Sequence, residues 1–131
     1  MTKLKKITKA ELDKKLELHK MWVEGFTYGE RLNLSYNNLS GVNIHGSNLE
    51  MAELQGANLK GANLKGLNLL LSDLQGANLQ VADLTGADLK GANLKMANLQ
   101  GADLRDTILT KASLVYFNAK YDKNTKFNGD N

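Results

Sequence analysis

From Leu32 to about Phe117 an aliphatic residue recurs at every fifth position. The series runs Leu34, Leu39, Ile44, Leu49 and onward in steps of five to Leu114, seventeen positions in all, every one leucine except Ile44. These residues are called pivots below. The position two before the pivot is usually small, as in Ala57, Ala87 and Ala102; its exceptions are Leu32, Asn37, Val42, Ser47, Leu67, Ser72 and Thr107. The position just before the pivot is usually Asn or Asp, and the position two after it is often glycine, as at Gly56, Gly61 and Gly91.

A period of five suits neither regular element. A helix of 3.6 residues per turn would spread such leucines around its circumference, and an extended strand, with its period of two, would send them to alternating faces. The chain must therefore turn once per quintet. Glycine marks the corner, because a type II turn needs a positive φ at its third residue and glycine supplies it without steric cost. Each quintet becomes one short side and one corner, with the pivot and the small residue inside. Four corners can close a coil of twenty residues, and successive coils can stack about 4.8 Å apart through backbone hydrogen bonds. Seventeen quintets then make about four coils, a rod of roughly 20 Å. Repeats without the glycine (Tyr36, Met51, Leu71, Val81, Met96, Asp106, Lys111 and Tyr116) are expected to use a type I or irregular turn. Stacking also predicts an amide ladder along Asn38, Asn58, Asn78 and Asn98 as structural glue.

Outside this region the period is absent. Residues 1–31 hold a capping box, Thr8-Lys9-Ala10-Glu11, followed by Leu12, Leu16, His19 and Val23 at helical spacing and a stop at Gly25. They predict an amphipathic helix over roughly 9–24, anchored by Trp22 and Phe26. Residues 118–131, with Tyr121 and Phe127 among polar neighbours, read as a cap over the last coil. The organisation is thus an N-terminal helix and lead-in over 1–31, a repeat region over 32–117 and a C-terminal cap over 118–131.

The A-[DN]-L-x-x quintets, among them Ala57-Asn58-Leu59-Lys60-Gly61 and Ala87-Asp88-Leu89-Lys90-Gly91, resemble the pentapeptide repeat family. The resemblance implies an all-β solenoid, a right-handed quadrilateral β-helix. His19-Lys20-Met21-Trp22 and Gly29-Glu30-Arg31 are similar to the family's N-terminal lead-in, and Ala119 to Phe127 to its exit segment. That exit commonly continues with proline, where this chain has Asn128.

Composition narrows the function. Without cysteine the chain has neither disulfide nor thiolate metal site, which fits a reducing cytoplasm. The longest apolar run is Leu69-Leu70-Leu71, far short of the ~20 residues of a membrane span. The lysines of the first nine residues are followed by no apolar run of a secretory signal, so a soluble cytoplasmic protein is expected. A net charge of +3 is too small to imply nucleic-acid binding. His19 and His45, the two histidines, lack a ligand set, and no nucleotide-binding, nucleophile-elbow or zinc-protease motif occurs. We expect no catalytic residues, cofactor or metal, because a smooth rod lacks the enclosed pocket that acid–base chemistry exploits.

Function is then sought among outward residues. Met51 and Leu71 share a column with Leu70 beside them, and Ile108 lies further along; Met96 and Tyr116 share another, with Val115 adjacent. These two apolar patches are either covered by the helix or tail, or they are interaction surfaces. The expected role is a non-catalytic interaction module with a protein partner, and a homodimer through the C-terminal end is one form of it. The resemblance also implies a second reading, a DNA mimic that modulates DNA gyrase. The charge count opposes that reading: about 20 Å of duplex carries roughly 12 phosphates. Residues 32–117 hold seven acidic residues (Glu50, Glu53, Asp73, Asp83, Asp88, Asp103, Asp106) against six basic ones (Lys60, Lys65, Lys90, Lys95, Arg105, Lys111).

Overall fold

The computed structural model describes residues 3–130. Its elements are β1 (Lys5–Lys6), α1 (Lys9–Val23), β2 (Asn37–Asn38) and α2 (Lys111–Tyr116). Between β2 and α2 the chain is a parallel ladder whose partners lie twenty residues apart: Asn38 with Asn58, Asn58 with Asn78, Asn78 with Asn98, and likewise Glu53 with Asp73 and Asp83 with Asp103. The chain returns upon itself every four quintets. Each side supplies one bridging residue, so the ladder contains few regular strands despite its regular pairing.

The quintet Ala57–Gly61 shows why the motif reads as it does, because each of its five N–H groups has a different task. Ala57 N–H closes the turn on Leu54 O at 3.1 Å. Asn58 N–H reaches back to Asn37 O at 3.0 Å, while Leu59 and Gly61 reach forward to Asn78 O and Gln80 O at 2.7 and 2.8 Å. Only Lys60 N–H finds no carbonyl, and Asn58 Oδ1 accepts it at 3.1 Å. A backbone N–H is an obligatory donor, and an Asx side chain is the local group that reaches two residues on. The same bond recurs around the ladder, including Gln75 N–H to Asp73 Oδ1 at 3.0 Å and Arg105 N–H to Asp103 Oδ1 at 3.2 Å. Asn and Asp interchange because the bond uses only the oxygen they share. The expected amide ladder is secondary: in the Asn38 column one rung forms, Asn58 Nδ2 to Asn38 Oδ1 at 3.3 Å.

All seventeen pivots are buried, Ile44 being the most accessible at 7%. The small positions line the same interior. Leu67, the large exception within the coils (Leu32 opens the region), sits in a column between Ser47 and Ala87, so its extra volume meets small neighbours. The buried hydroxyls of Ser72 and Thr107 donate to the turn carbonyls of Leu69 and Leu104 at 2.7 and 2.6 Å, which lets a polar residue occupy the core.

The turns at non-glycine corners correct the expectation of a different turn type. Tyr36, Met51, Leu71, Val81, Met96 and Asp106 all have φ between 51° and 61°, close to the glycine corners. The closing bond is also unchanged: Ser72 N–H to Leu69 O and Ala97 N–H to Leu94 O are both 3.0 Å. Stacking on neighbouring coils imposes one corner geometry, and side chains that disfavour it conform.

Both ends are closed. Thr8 and Glu11 form their capping box, with Glu11 N–H on Thr8 Oγ1 at 3.1 Å. Gly25 (φ 88°) ends α1 in a Schellman turn, with Phe26 N–H on Met21 O at 3.0 Å. Leu12 and His19 are buried against the first coil, and Leu16 packs beside them. The chain then doubles back so tightly that a β-carbon on Gly29 would lie 2.2 Å from Trp22 N. Lys5 and Lys6 of β1 pair with Asn37 and Asn38 and extend the ladder by one step. At the other end α2 replaces the quintet predicted there. Leu114 is still buried, but from a helix capped by Thr110 and Ser113. The last return is consequently longer, with Asn98 pairing Lys120 and Asp103 pairing Lys126. Phe127 is buried, stands edge-on to Tyr121 and lies beneath Lys111 Nζ.

Candidate interaction surface

The outer positions form four sides separated by columns of corner residues. One side carries Asn38, Ser40, Asn58, Lys60, Asn78, Gln80, Asn98 and Gln100, without a carboxylate. Another carries Asp83, Asp103 and Arg105. There the Arg105 guanidinium grips Asp103 with two bonds of 2.9 and 2.6 Å, and these bonds hold the Asp103 carboxyl below the usual carboxylate range. This acid is neutralised by its neighbour. A third side is a lattice of side-chain bonds across coils: Arg31 with Glu53 at 3.3 Å, Gln55 with Asp73, and Asn93 Nδ2 with Asp73 Oδ1 at 3.3 Å.

That third side is bordered by two columns of corners, each holding apolar residues in place of some glycines. On one border Met51 and Leu71 are 38% and 53% exposed, with half-buried Leu70 beside Leu71. Leu71 leans over the next coil, so a β-carbon on Gly91 would lie 2.5 Å from Leu71 Cδ2. Beyond Gly91 an open hollow of about 390 Å³ is walled by Leu89, Ile108, Leu109 and Phe117. On the other border Met96 is 58% exposed; α2 shifts the register there, so Asn118 (φ 53°) takes the corner stacked on Met96, and Tyr116, expected in that column, lies on α2 at 84% exposure with Val115 adjacent at 66%. Neither α1 nor the tail covers these residues; both close the ends of the ladder and leave its sides open.

Sequence reasoning placed these side chains on the outside but missed the strain beneath some of them. Met51, Leu71 and Met96, like Tyr36 and Val81, occupy the left-handed region. That conformation costs a non-glycine residue roughly 1–2 kcal/mol. The absence of glycine at a corner position that is glycine in nine of the seventeen quintets was the available signal.

His45 is exposed, with its Nδ1 2.7 Å from Asn43 Oδ1. Among the described residues no three His, Cys, Asp or Glu side chains gather as metal ligands, and no helix is long and apolar enough to cross a membrane.

The repeat geometry has counterparts in known proteins. The family model "Pentapeptide repeats" matches residues 52–91 and 87–116 with eight copies. No curated protein matches the chain. Among solved structures, a pentapeptide repeat protein from the Arabidopsis thaliana thylakoid lumen is 34% identical, with a TM-score of 0.57, over 76% of this chain and 61% of its own. HetL, a pentapeptide repeat protein involved in heterocyst differentiation regulation in the cyanobacterium Nostoc sp. strain PCC 7120, is 32% identical, with a TM-score of 0.53, over 70% of this chain and 38% of its own. The chain thus spans less than two thirds of either relative. Rfr23, a pentapeptide repeat protein from the cyanobacterium Cyanothece 51142, is 25% identical, with a TM-score of 0.56, over 89% of this chain and 99% of its own. The A-[DN]-L-x-x quintets, the return of the backbone every twenty residues and these matches place the chain in the pentapeptide repeat family.

Proposed function

We propose that the chain is a non-catalytic scaffold, a right-handed quadrilateral β-helix of about four coils, that binds a protein partner through the side flanked by Met51 and Leu71 on one border and Met96 and Tyr116 on the other. One observation carries this reading. Large apolar side chains stand half-exposed at corners whose backbone favours glycine, and strain of this kind persists where function requires it. The corners would anchor the partner, and the polar lattice between them would supply orientation. Burying Met51, Leu71 and Met96 would return apolar surface at about 25 cal/mol per Å².

The tail already pairs with the last coil, so a homodimer at the C-terminal end would use Met96, Val115 and Tyr116 rather than an open backbone edge. We place the protein in the cytoplasm, which cell fractionation checks.

The test is affinity capture from the native host, comparing wild type with Leu71→Gly and Met96→Gly. Glycine suits these corners, so both variants should fold. A specific partner retained by wild type and lost by both variants is the expected result. Equal capture by all three forms would overturn this assignment, as would inhibition of gyrase supercoiling at low micromolar protein with no dependence on Leu71 or Met96. Light scattering distinguishes a second copy of the chain from a different partner.

A further inference from the structure

The side chain of His19 is completely buried between α1 and the first coil. Its Nδ1 accepts the backbone N–H of Leu32, the residue that opens the repeat region, at 2.9 Å. This bond requires Nδ1 to carry a lone pair, so the proton of the neutral ring resides on Nε2. Nε2 is itself buried and has no hydrogen-bond partner. The ring stacks on Trp22 with centroids 5.6 Å apart and planes 19° from parallel. One imidazole therefore ties α1 to the ladder by a bond that exists in only one protonation state.

We propose that His19 is an acid-released latch: on taking up a proton it loses its bond to Leu32 and frees α1 from the first coil. The added proton turns Nδ1 from acceptor to donor, so two N–H groups confront each other across the former bond. It also places a positive charge where no solvent reaches. The charged groups facing the ring are Arg31, from the lead-in, and Glu50, from the first coil. Arg31 opposes protonation and is itself paired with Glu53 at 3.3 Å. Burial is the largest influence and opposes the charge, whereas the Glu50 carbonyl and carboxylate favour it; the balance lowers the affinity of His19 for a proton below that of a free imidazole. The sign follows. With α1 docked, His19 holds its proton less tightly than when released, so the docked state is fully favoured above the ordinary value of 6.5 and loses ground as pH falls below it. The released population rises by up to tenfold per pH unit until the docked ring itself titrates. The ladder has no comparable group in its core, so the effect is confined to the N-terminal end.

Trp22 is the chain's only tryptophan and reports on this event directly. The full chain is titrated from pH 7.5 to 4.5, above the range of ordinary carboxylates, with Trp22 fluorescence and amide hydrogen exchange followed together. After correction for intrinsic exchange rates, the amides of α1 and Leu32 should lose protection below pH 6.5 by up to tenfold per unit. Those of Leu59 and Leu79 should hold theirs. His19→Asn keeps an acceptor near the Nδ1 position and cannot titrate, so it should abolish the transition; His45→Asn should leave it unchanged. The same transition in His19→Asn, or a wild type with no transition, overturns the proposal. If His19→Asn fails to fold, the ring resonances of wild-type His19 decide: titration of the ring without any response of the Leu32 amide also overturns it.

Discussion

Asn78→Ala tests the account of the quintet, because among the described residues the Asn78 side chain makes one hydrogen bond, its Oδ1 accepting from Gln80 N–H at 3.0 Å. Alanine removes the acceptor and leaves the corner, the pivot Leu79 and the neighbouring coils in place. A neutral hydrogen bond of this kind is worth about 0.5–1.5 kcal/mol net, and a half-buried donor left unpaired sets the loss near 1 kcal/mol. At about 2.1 cal/mol/K of unfolding entropy per residue, a chain of this length loses roughly 4 °C in Tm for that change. Asn78→Asp is the decisive companion. It keeps the oxygen, and its column contains Asn38, Asn58 and Asn98 rather than a carboxylate, so no like charge opposes it. Its Tm should stay within about 1–2 °C of wild type, since surface changes away from such features usually fall within ±0.5 kcal/mol. Thermal unfolding followed by circular dichroism, repeated in urea to check that the slope is unchanged, gives both values. If aspartate costs as much as alanine, or alanine costs nothing, the Asx oxygen is not what the quintet requires at this position.

Gly29→Ala puts a β-carbon 2.2 Å from Trp22 N and 2.5 Å from its Cα, both backbone atoms with little room to yield. The cost should be about 3 kcal/mol, seen as loss of α1 ellipticity and a shifted Trp22 spectrum. Met96→Gly relieves a left-handed methionine (φ 60°) that is 58% exposed, so chemical denaturation should find it about 1 kcal/mol more stable even as partner capture is lost. Leu79→Ala opens a cavity at a fully buried pivot and should cost about 3 kcal/mol in urea denaturation. Asp103, held below its ordinary value of 3.8 by Arg105, contributes stability that is present above that pH and lost as acid titrates the folded carboxylate. Arg105→Gln should therefore flatten the loss of stability between pH 5 and 3 relative to wild type.

Much of the fold was legible because the repeat states its rules many times. The pivot leucines and small residues specify the interior, glycine specifies the corner, and Thr8 with Glu11 marks the start of α1. Two failures have physical causes. The type of turn at Met51 or Leu71 could not be read from that residue, because the coils above and below impose the backbone there. α2 was hidden because Leu109 and Leu114 keep the five-residue step while the local chemistry changes. From Ile108 onward the Asx position is lost, at Ile108 and Ser113, and the corner glycine is absent at Asp106, Lys111 and Tyr116. With both turn determinants gone, Thr110 and Ser113 cap a helix instead. The period survived where its mechanism did not.

The candidate surface was less legible because the sequence gives positions without their cost. Met51, Leu71 and Met96 could be placed outside by counting, and the missing corner glycine was the one sign in the sequence of their left-handed backbone, which the structure shows. His45 and His19 make the same point from opposite directions. Both are lone histidines without a ligand set; the sequence places His19 on the apolar face of the predicted helix and His45 just after a pivot, on the outside, but does not say what each meets there. The fold leaves His45 in solvent beside Asn43 and buries His19 with one nitrogen engaged by Leu32 and the other unpaired. Whether a histidine is an ornament or a latch depends on what approaches it from thirteen residues further along the chain, and that approach is set by the tight return at Gly29. Gly29→Ala and acid should therefore converge on the same event, release of α1. If Gly29→Ala leaves the pH response of Trp22 unchanged, the return and the latch are independent, and the closure of the N-terminal end needs a different explanation.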